Sequence, residues 1–139
     1  MTIQRTLCII KPDACERRVQ GSILQRVLEE GFEVLGIKQL RLSVAQAEGF
    51  YAVHFGKPFF GSLCAFMTRG PVVVVALSRD NAVQHWRSVI GATDPAKSEN
   101  GSIRKLFGTS LTENAVHGSD SEENGRLEVG YFFAESELR

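Results

Sequence analysis

The chain has 139 residues, enough for one hydrophobic core but too few for two ordinary domains, so we treat residues 1–139 as a single domain. Sixteen basic residues balance sixteen acidic ones, and this neutral charge gives no field that would favour binding to nucleic acid or to anionic membranes. The longest apolar runs are far shorter than a bilayer-spanning helix and no signal-peptide core follows the N-terminus, so we expect a cytoplasmic protein without a membrane span.

The first elements are predicted as strand, helix and strand. Residues 6–11 are apolar nearly throughout and end before Pro12, which predicts a buried strand because proline cannot donate a ladder hydrogen bond. Apolar residues recur at helical spacing in residues 22–30, and Gly31 suits the C-terminal cap of that helix. Residues 32–42 then predict a second strand with one face in water.

The middle of the chain predicts two helices and a central strand. Ser43 and Gln46 form a capping-box pattern, which predicts a helix running toward His54. Residues 60–68 carry apolar side chains on one helical face before a Gly-Pro pair. The valine-rich residues 71–77 predict a strand that is buried on both faces.

The next segment predicts helices around an irregular loop. Asp80 is expected to cap a helix that reaches Val89. Residues 91–101 are polar and form a loop longer than a simple connection needs, which is typical of functional loops. A short helix over residues 102–107 and a brief extended piece at 115–116 follow.

Asp120 and Glu123 form the last capping pair and predict a helix that runs toward Tyr131. The two strands that are apolar on both faces need helices to cover them. The order of elements therefore predicts an α+β fold, a ferredoxin-like βαββαβ sandwich with an antiparallel four-stranded sheet and added helices.

The cysteines and histidines do not form a recognisable metal site. Cys8, Cys15 and Cys64 are odd in number and far apart, and neither a CxxC pair nor an HExxH motif occurs. We expect reduced thiols without a catalytic role, and no structural zinc.

The segment NAVHGSDS, residues 114–121, places His117 among small and polar neighbours. A neutral imidazole is nucleophilic near pH 7, because its unperturbed pKa is about 6.5. Gly118, Ser119 and Asp120 offer close backbone approach, a hydroxyl and a carboxylate. These residues alone leave acyl transfer, phosphoryl transfer, metal binding and an ordinary surface histidine open.

Other side chains suit a nucleotide, although each also fits an ordinary structural role. Phosphoryl transfer depends mainly on neutralising and positioning a polyanion. The candidate cations are Lys11, Arg87 and Arg104. Tyr51 and His54 lie three residues apart on one predicted helical face, and Phe59 could offer a flat face to a nucleobase. Neither of the common glycine-rich phosphate loops occurs, so side chains would have to hold a nucleotide.

Taken together, the motifs resemble the nucleoside diphosphate kinase family over essentially the whole chain. They are IIKPDA at 9–14, GFYAVH at 49–54, KPFF at 57–60, GPVVV at 70–74, GATDP at 91–95, SIR at 102–104 and NAVHGSDS at 114–121. The resemblance implies transfer of the γ-phosphate of a nucleoside triphosphate such as ATP to a nucleoside diphosphate. It further implies a ping-pong route through a phosphohistidine at His117, with broad base specificity.

The resemblance also implies roles for the matching residues. The catalytic residues would be His117, Glu128, Ser119, Lys11 and Tyr51. The nucleotide-binding residues would be Lys11, His54, Phe59, Arg87, Thr93, Arg104, Leu111 and Asn114. Phe59 and Leu111 would hold the base by apolar contact, which tolerates every base. Mg²⁺ would arrive with the nucleotide phosphates without a direct protein ligand, and the subunits would form a homo-oligomer, a tetramer or hexamer built from dimers.

Two features depart from the family pattern. Lys105 and Leu106 follow Arg104, where the family usually has an aspartate two positions after the arginine, so the ion pair expected there is missing. Asn124 and Gly125 replace small helix formers, and glycine weakens a helix by about 1 kcal/mol. We therefore expect reduced stability of the last helix.

A protein that keeps the fold without turnover, as a nucleotide-binding or phosphohistidine signalling module, is the main alternative. Such a module is expected to lack part of the nucleophile and cation set, which is complete here. A nucleic-acid-binding protein would need a basic surface, which the neutral charge does not favour.

Overall fold

The computed structural model describes residues 2–139 and contains one four-stranded sheet in the order β2-β3-β1-β4. The strands are β1 Ile3–Ile10, β2 Glu33–Leu40, β3 Val72–Asp80 and β4 Val116–His117. Each neighbouring pair is antiparallel. The predicted ferredoxin-like βαββαβ fold with an antiparallel four-stranded sheet is therefore confirmed.

Seven α-helices accompany the sheet within residues 2–139. They are α1 Pro12–Glu16, α2 Gln20–Glu29, α3 Val44–Phe50, α4 Phe60–Met67, α5 Ala82–Ile90, α6 Ile103–Phe107 and α7 Glu122–Phe132. Short 3₁₀ turns lie at Ala52–His54, Pro95–Lys97 and Glu135–Glu137. In this part of the chain, no helix combines the length and the apolar composition needed to cross a bilayer.

The sheet has a hydrophobic core on each face, as its continuous apolar strands predict. On β1, Cys8 and Ile10 pack into the core beneath α2 and α5, whereas Leu7 and Ile9 pack into the core beneath α3, α4 and α7. Both faces of the central strands are therefore closed to water, and the ends of the strands carry the accessible polar groups.

Two predicted helix starts are each wrong by one residue. Asp80 is the last residue of β3, and Asn81, in the left-handed region at φ 53°, is the N-cap of α5. Helix α7 begins with Ser121 as N-cap, whose hydroxyl accepts from the Asn124 backbone N–H at 3.1 Å. Asp120 instead accepts from the Asn124 side chain, which removes it from the capping position.

The helix predicted from the Ser43 capping box has the expected start but is interrupted. The reciprocal Ser43 and Gln46 hydrogen bonds are present, and α3 ends at Phe50 before the 3₁₀ turn Ala52–His54. Helix α1 was not predicted, because five residues are too few to show a helical period. Pro12 occupies its first turn, where the missing N–H costs nothing.

The expectation that Gly125 lowers stability is wrong, because this position cannot hold a side chain without a local shift. Helix α7 crosses β1 so closely that a Cβ at residue 125 would overlap the carbonyl oxygen of Arg5. Glycine therefore permits a helix-on-strand approach that outweighs its poor helix propensity.

Replacing Gly125 by alanine is predicted to destabilise the protein by about 1–3 kcal/mol, the usual range for overpacking. The matched control is Gly130→Ala in the same helix, where an added Cβ meets nothing within 4 Å. That substitution is expected to stabilise by up to about 1 kcal/mol, through helix propensity alone. Chemical denaturation of the two variants measures both values, and equal effects of the same sign would contradict the close crossing.

Candidate active site

His117 lies on the two-residue strand β4, opposite Ile9 of β1. The turn before β4 is held by hydrogen bonds to the residues that follow β1. Ala115 has a positive φ of 75°, its N–H donates to Asp13 Oδ2 at 3.1 Å, and its carbonyl accepts from the Lys11 N–H at 2.8 Å. The strained turn therefore fixes where β4 begins and which way His117 points.

Within residues 2–139, the imidazole of His117 is hydrogen-bonded through one nitrogen. Its Nε2 lies 2.8 Å from Glu128 Oε1, and the Ser119 hydroxyl donates to the same oxygen at 2.7 Å. Ser119 Oγ in turn accepts from the Leu7 N–H at 3.1 Å. Because a carboxylate only accepts, Nε2 carries the proton and Nδ1 keeps its lone pair.

The backbone and ring of His117 are also packed by aromatic side chains that the sequence did not single out. Trp86, fully buried, donates its indole N–H to the His117 carbonyl at 3.3 Å. A Cβ at Gly118 would come within 2.8 Å of both Trp86 and Ile90, so glycine lets the loop lie against α5. The Phe50 ring stands 5.4 Å from the imidazole.

His117 opens into a cleft of about 480 Å³ beside α3 and α7. The predicted site residues that line it are Tyr51, His54, Arg87, His117 and Glu128. A smaller cavity of about 140 Å³ shares Arg87 and Gly118 with this cleft. It adds two more predicted residues, Thr93 and Arg104.

Arg104 and Arg87 form a cationic group, and Asp120 lies near enough to Arg87 for their charges to attract. The Arg104 guanidinium donates to the Val116 carbonyl at 2.9 Å and to the Gly91 carbonyl at 3.4 Å. Within residues 2–139 neither arginine forms a salt bridge, so backbone carbonyls take the place of the missing aspartate at Leu106. Burial, and then repulsion from Arg87, lower the pKa of Arg104 to about 10. An anion bound here would relieve this repulsion.

Lys11 is buried, with 7% of its surface exposed, and is held by Asn114. Its Nζ donates to Asn114 Oδ1 at 2.8 Å, and the Asn114 amide donates to the carbonyls of Thr93 and Leu111 at 3.1 and 3.0 Å. Burial and then the nearby Arg104 lower the pKa of Lys11 to about 8. Asn114 thus joins the cation to the two loops that carry Thr93 and Leu111.

Two polar atoms of the site are buried without a hydrogen-bond partner in residues 2–139, the Tyr51 hydroxyl and Arg104 Nε. Burial raises the pKa of Tyr51, so the hydroxyl stays a donor at neutral pH. Unpaired buried donors cost free energy unless a ligand satisfies them. Their residues line the two cavities, where a ligand rich in acceptor oxygens would supply the missing partners after a small shift of these side chains.

Exposed apolar side chains flank the outer part of the site. Phe59 is 47% exposed and its ring lies 5.3 Å from that of His54. Leu111, 62% exposed, lies three residues before Asn114 on the opposite loop. Lys57 Nζ is 3.1 Å from His54 Nδ1. These contacts link Phe59 to the cleft through His54, and Leu111 to Lys11 through Asn114.

The carboxylates near His117 each accept at least one internal hydrogen bond. Glu128 accepts from His117 and Ser119, Asp13 accepts from a backbone N–H, and Asp120 accepts from the Asn124 side chain at 2.6 Å. Within residues 2–139, no group of three or more His, Cys, Asp or Glu side chains could hold a metal ion.

Comparison with known proteins agrees with this geometry. The family model described as nucleoside diphosphate kinase matches residues 4–138. A nucleoside diphosphate kinase from Geobacter sp. (strain M21) is 54% identical over 136 residues, which cover 98% of this chain and 99% of that protein.

Solved structures are similar over the same length. The nucleoside diphosphate kinase of Aquifex aeolicus superposes with a TM-score of 0.97 at 40% identity, covering 99% of this chain and 100% of the other. A halophilic nucleoside diphosphate kinase from Halobacterium salinarum, solved in complex with CDP, gives 0.95 at 35% identity, covering 99% and 92%. The chain therefore belongs to the nucleoside diphosphate kinase family and is a phosphotransferase that moves a phosphate group between nucleoside triphosphates and nucleoside diphosphates.

Proposed function

We propose that the phosphate passes through His117 by a ping-pong mechanism, with Nδ1 as the nucleophile. The observation that carries this proposal is the engagement of Nε2 by Glu128 at 2.8 Å, which leaves the lone pair on Nδ1. Nδ1 of His117 has no hydrogen-bond partner within residues 2–139, and the side chain is 19% exposed at the cleft. The nucleophile is therefore available without any prior rearrangement.

In the first half-reaction, Nδ1 attacks the γ-phosphorus in line and the bond to the β,γ-bridging oxygen breaks. The nucleoside diphosphate leaves with the electron pair of that bond, and the phosphoryl group stays on Nδ1. A second diphosphate then attacks the phosphorus through its terminal oxygen, the N–P bond breaks, and the imidazole regains its lone pair. Because one site serves both halves, the second half-reaction is the reverse of the first.

Glu128 and Ser119 support this chemistry through the far side of the ring. When Nδ1 bonds to phosphorus, positive charge develops on the imidazole, and the Glu128 carboxylate that accepts from Nε2–H stabilises it. The Ser119 hydroxyl holds the same carboxylate oxygen at 2.7 Å and keeps it aimed at the ring. Ser119 thus acts on His117 through Glu128.

The phosphates are proposed to lie among the cations and unpaired donors described above. Proposed ligands are Lys11, Tyr51, His54, Arg87, Thr93 and Arg104, of which all but Lys11 line the two cavities. A triphosphate would satisfy the buried Tyr51 hydroxyl and Arg104 Nε, and it would neutralise like charges that now repel. Phosphoryl transfer needs mainly this kind of positioning and neutralisation.

Mg²⁺ is proposed to enter on the nucleotide. An ion carried by the nucleotide would neutralise part of the phosphate charge, which otherwise opposes attack by the nucleophile. The residues of this chain then bind the remaining phosphate oxygens through their cationic side chains.

The base and sugar are proposed to occupy the outer cleft. Lys11 and Asn114 would address the sugar hydroxyls, and the exposed faces of Phe59 and Leu111 would enclose the base. Stacking and apolar contact do not read hydrogen-bonding edges, so all common bases are expected to bind. The Halobacterium salinarum relative in complex with CDP supports binding of a nucleoside diphosphate here.

A homo-oligomer built from dimers, as a tetramer or hexamer, and a cytoplasmic location remain proposals. Strand β2 lies at an edge of the sheet with Ile37 half exposed, which supports association between copies of the chain. Light scattering of the purified protein gives the number of subunits.

Incubation with γ-labelled ATP and Mg²⁺ is predicted to place label on the protein in an acid-labile, alkali-stable form. Addition of unlabelled ADP, GDP, CDP or UDP should remove the label as the corresponding triphosphate. His117→Ala should take up no label and show no exchange, because it lacks the nucleophile.

The matched control is His85→Gln, because His85 is half-buried but pairs with Glu30 away from the cleft. It should label normally. Label that cannot be passed to any diphosphate would favour a signalling module, and acid-stable label would refute the phosphohistidine.

Replacing Glu128 by glutamine is predicted to lower kcat by about two orders of magnitude with little change in KM, the scale of a lost acid–base or orienting partner. The amide cannot stabilise the charge on the ring and can present its NH₂ to Nε2. Steady-state kinetics measures both constants. Glu123→Gln, exposed and in the same helix, should match the unmodified enzyme, and a kcat near normal for Glu128→Gln would remove Glu128 from the mechanism.

The low pKa of Lys11 predicts a loss of kcat/KM in alkaline solution. Below pH 8 the buried ammonium is charged and binds phosphate; above its pKa of about 8 it loses the proton. The constant kcat/KM reports the free enzyme and should fall by up to about tenfold per pH unit above this value. Lys11→Gln should be less active and lack this decline, and a flat profile to pH 9.5 in the unmodified enzyme would contradict the assignment.

A further inference from the structure

We propose that Phe50 is a positioning residue for His117, one that fixes the imidazole so that Nδ1 faces the phosphates and that shields the phosphorylated ring from water. This inference rests on the phosphohistidine mechanism proposed above. The mechanism proposed above gives roles to Glu128 and to the cationic side chains. It gives no role to the contact between Phe50 and the imidazole of His117.

The contact is an edge-to-face aromatic pair. The Phe50 and His117 rings have centroids 5.4 Å apart and an interplanar angle of 75°, within the favoured range for such pairs. Phe50 is the last residue of α3, so its ring reaches across the cleft floor toward β4. His117 thus meets Glu128 at Nε2 and Phe50 on its ring.

Phe50 itself is held by other aromatic rings. The centroids of Tyr51, Tyr131 and Phe132 lie 5.0, 5.6 and 5.4 Å from that of Phe50. The same helix α7 that supplies Glu128 supplies two of these rings. The carboxylate and the backing of Phe50 are therefore parts of one rigid element.

A close contact between α3 and α7 keeps this cluster in place. The Tyr131 hydroxyl donates to the Gln46 carbonyl at 2.9 Å. A Cβ at Gly49 would overlap that hydroxyl, so the residue next to Phe50 must be small. The contact between α3 and α7 therefore limits how far the backbone of Phe50 can move away from His117.

The torsion about the Cβ–Cγ bond of histidine is broad and roughly two-fold, so the Glu128 hydrogen bond alone leaves the ring room to swing. A flipped ring would place carbon Cδ2 where Nδ1 now lies and would break the Nε2 hydrogen bond to Glu128. The edge-to-face contact with Phe50 opposes this rotation, because a turning imidazole loses the favoured ring geometry. The same contact would restrict the approach of water to the phosphorylated ring, where attack on phosphorus breaks the N–P bond and releases orthophosphate.

The primary test is Phe50→Leu, which keeps an apolar side chain but loses the ring. In single-turnover experiments with γ-labelled ATP, the rate of phosphoenzyme formation is expected to fall by about tenfold, the upper range for one aromatic pair. Spontaneous hydrolysis of isolated phosphoenzyme should rise several-fold, while the Kd for ADP stays within about twofold. Phe50→Tyr, which restores the ring, should restore both rates.

The matched control is Phe55→Leu, which removes an exposed ring that packs on Phe60 and leaves the cluster around Phe50 intact. It should leave both rates close to those of the unmodified enzyme. Equal effects of Phe55→Leu and Phe50→Leu, a change in Kd alone, or unchanged rates in Phe50→Leu would each overturn the positioning role.

A second measurement separates this inference from the mechanism on which it rests. Nitrogen NMR of His117 in the nucleotide-free protein should show the single Nε2–H tautomer, and Phe50→Leu should show a mixture. An unmodified protein that forms no phosphoenzyme but shows this tautomer change would refute the proposed phosphohistidine and keep the positioning of the ring. An unchanged tautomer together with normal phosphoenzyme formation and unchanged rates would refute the positioning alone.

Discussion

The close crossing of α7 over β1 is the constraint on which the site depends. Gly125 allows the helix backbone to approach the Arg5 carbonyl, and three residues later the same helix presents Glu128 to His117. A wider crossing would draw the carboxylate away from Nε2, and Tyr131 away from α3. One glycine therefore sets how closely Glu128 and Tyr131 approach His117, the proposed nucleophile, and helix α3.

The positive charge of the site comes from the position and burial of a few cationic side chains. It does not come from the net charge of the chain. The chain is neutral overall, yet Lys11, Arg87 and Arg104 converge near His117 without salt bridges within residues 2–139. Backbone carbonyls hold Arg104 in place. A carboxylate in their position would compete with phosphate for the guanidinium. The loss of an aspartate at Leu106 thus leaves the arginine anchored, and it leaves the positive charge available to an anion.

The sequence predicted the fold well because its signals are local and strong. The valine-rich strand, the Ser43 capping box and the glycines at element ends need only short-range information. The sequence missed α1, which is too short to show a period, and it misjudged Gly125, whose role depends on a strand that lies 120 residues earlier. The predicted site residues came from a resemblance in motifs, whereas the contacts of Phe50 and Trp86 with His117 arise only from packing.

The arrangement of polar groups fits the proposed exchange among many nucleotides at one site. Under that proposal, hydrogen-bond donors and cations would meet the phosphates and the sugar, which all nucleotides share. Phe59 and Leu111 would meet the base, and their apolar surfaces make contact without reading its hydrogen-bonding edges. Nucleotides with different bases would then bind with similar free energies. Because a catalyst leaves the equilibrium constant unchanged, the concentrations of the nucleotides would set the direction of transfer.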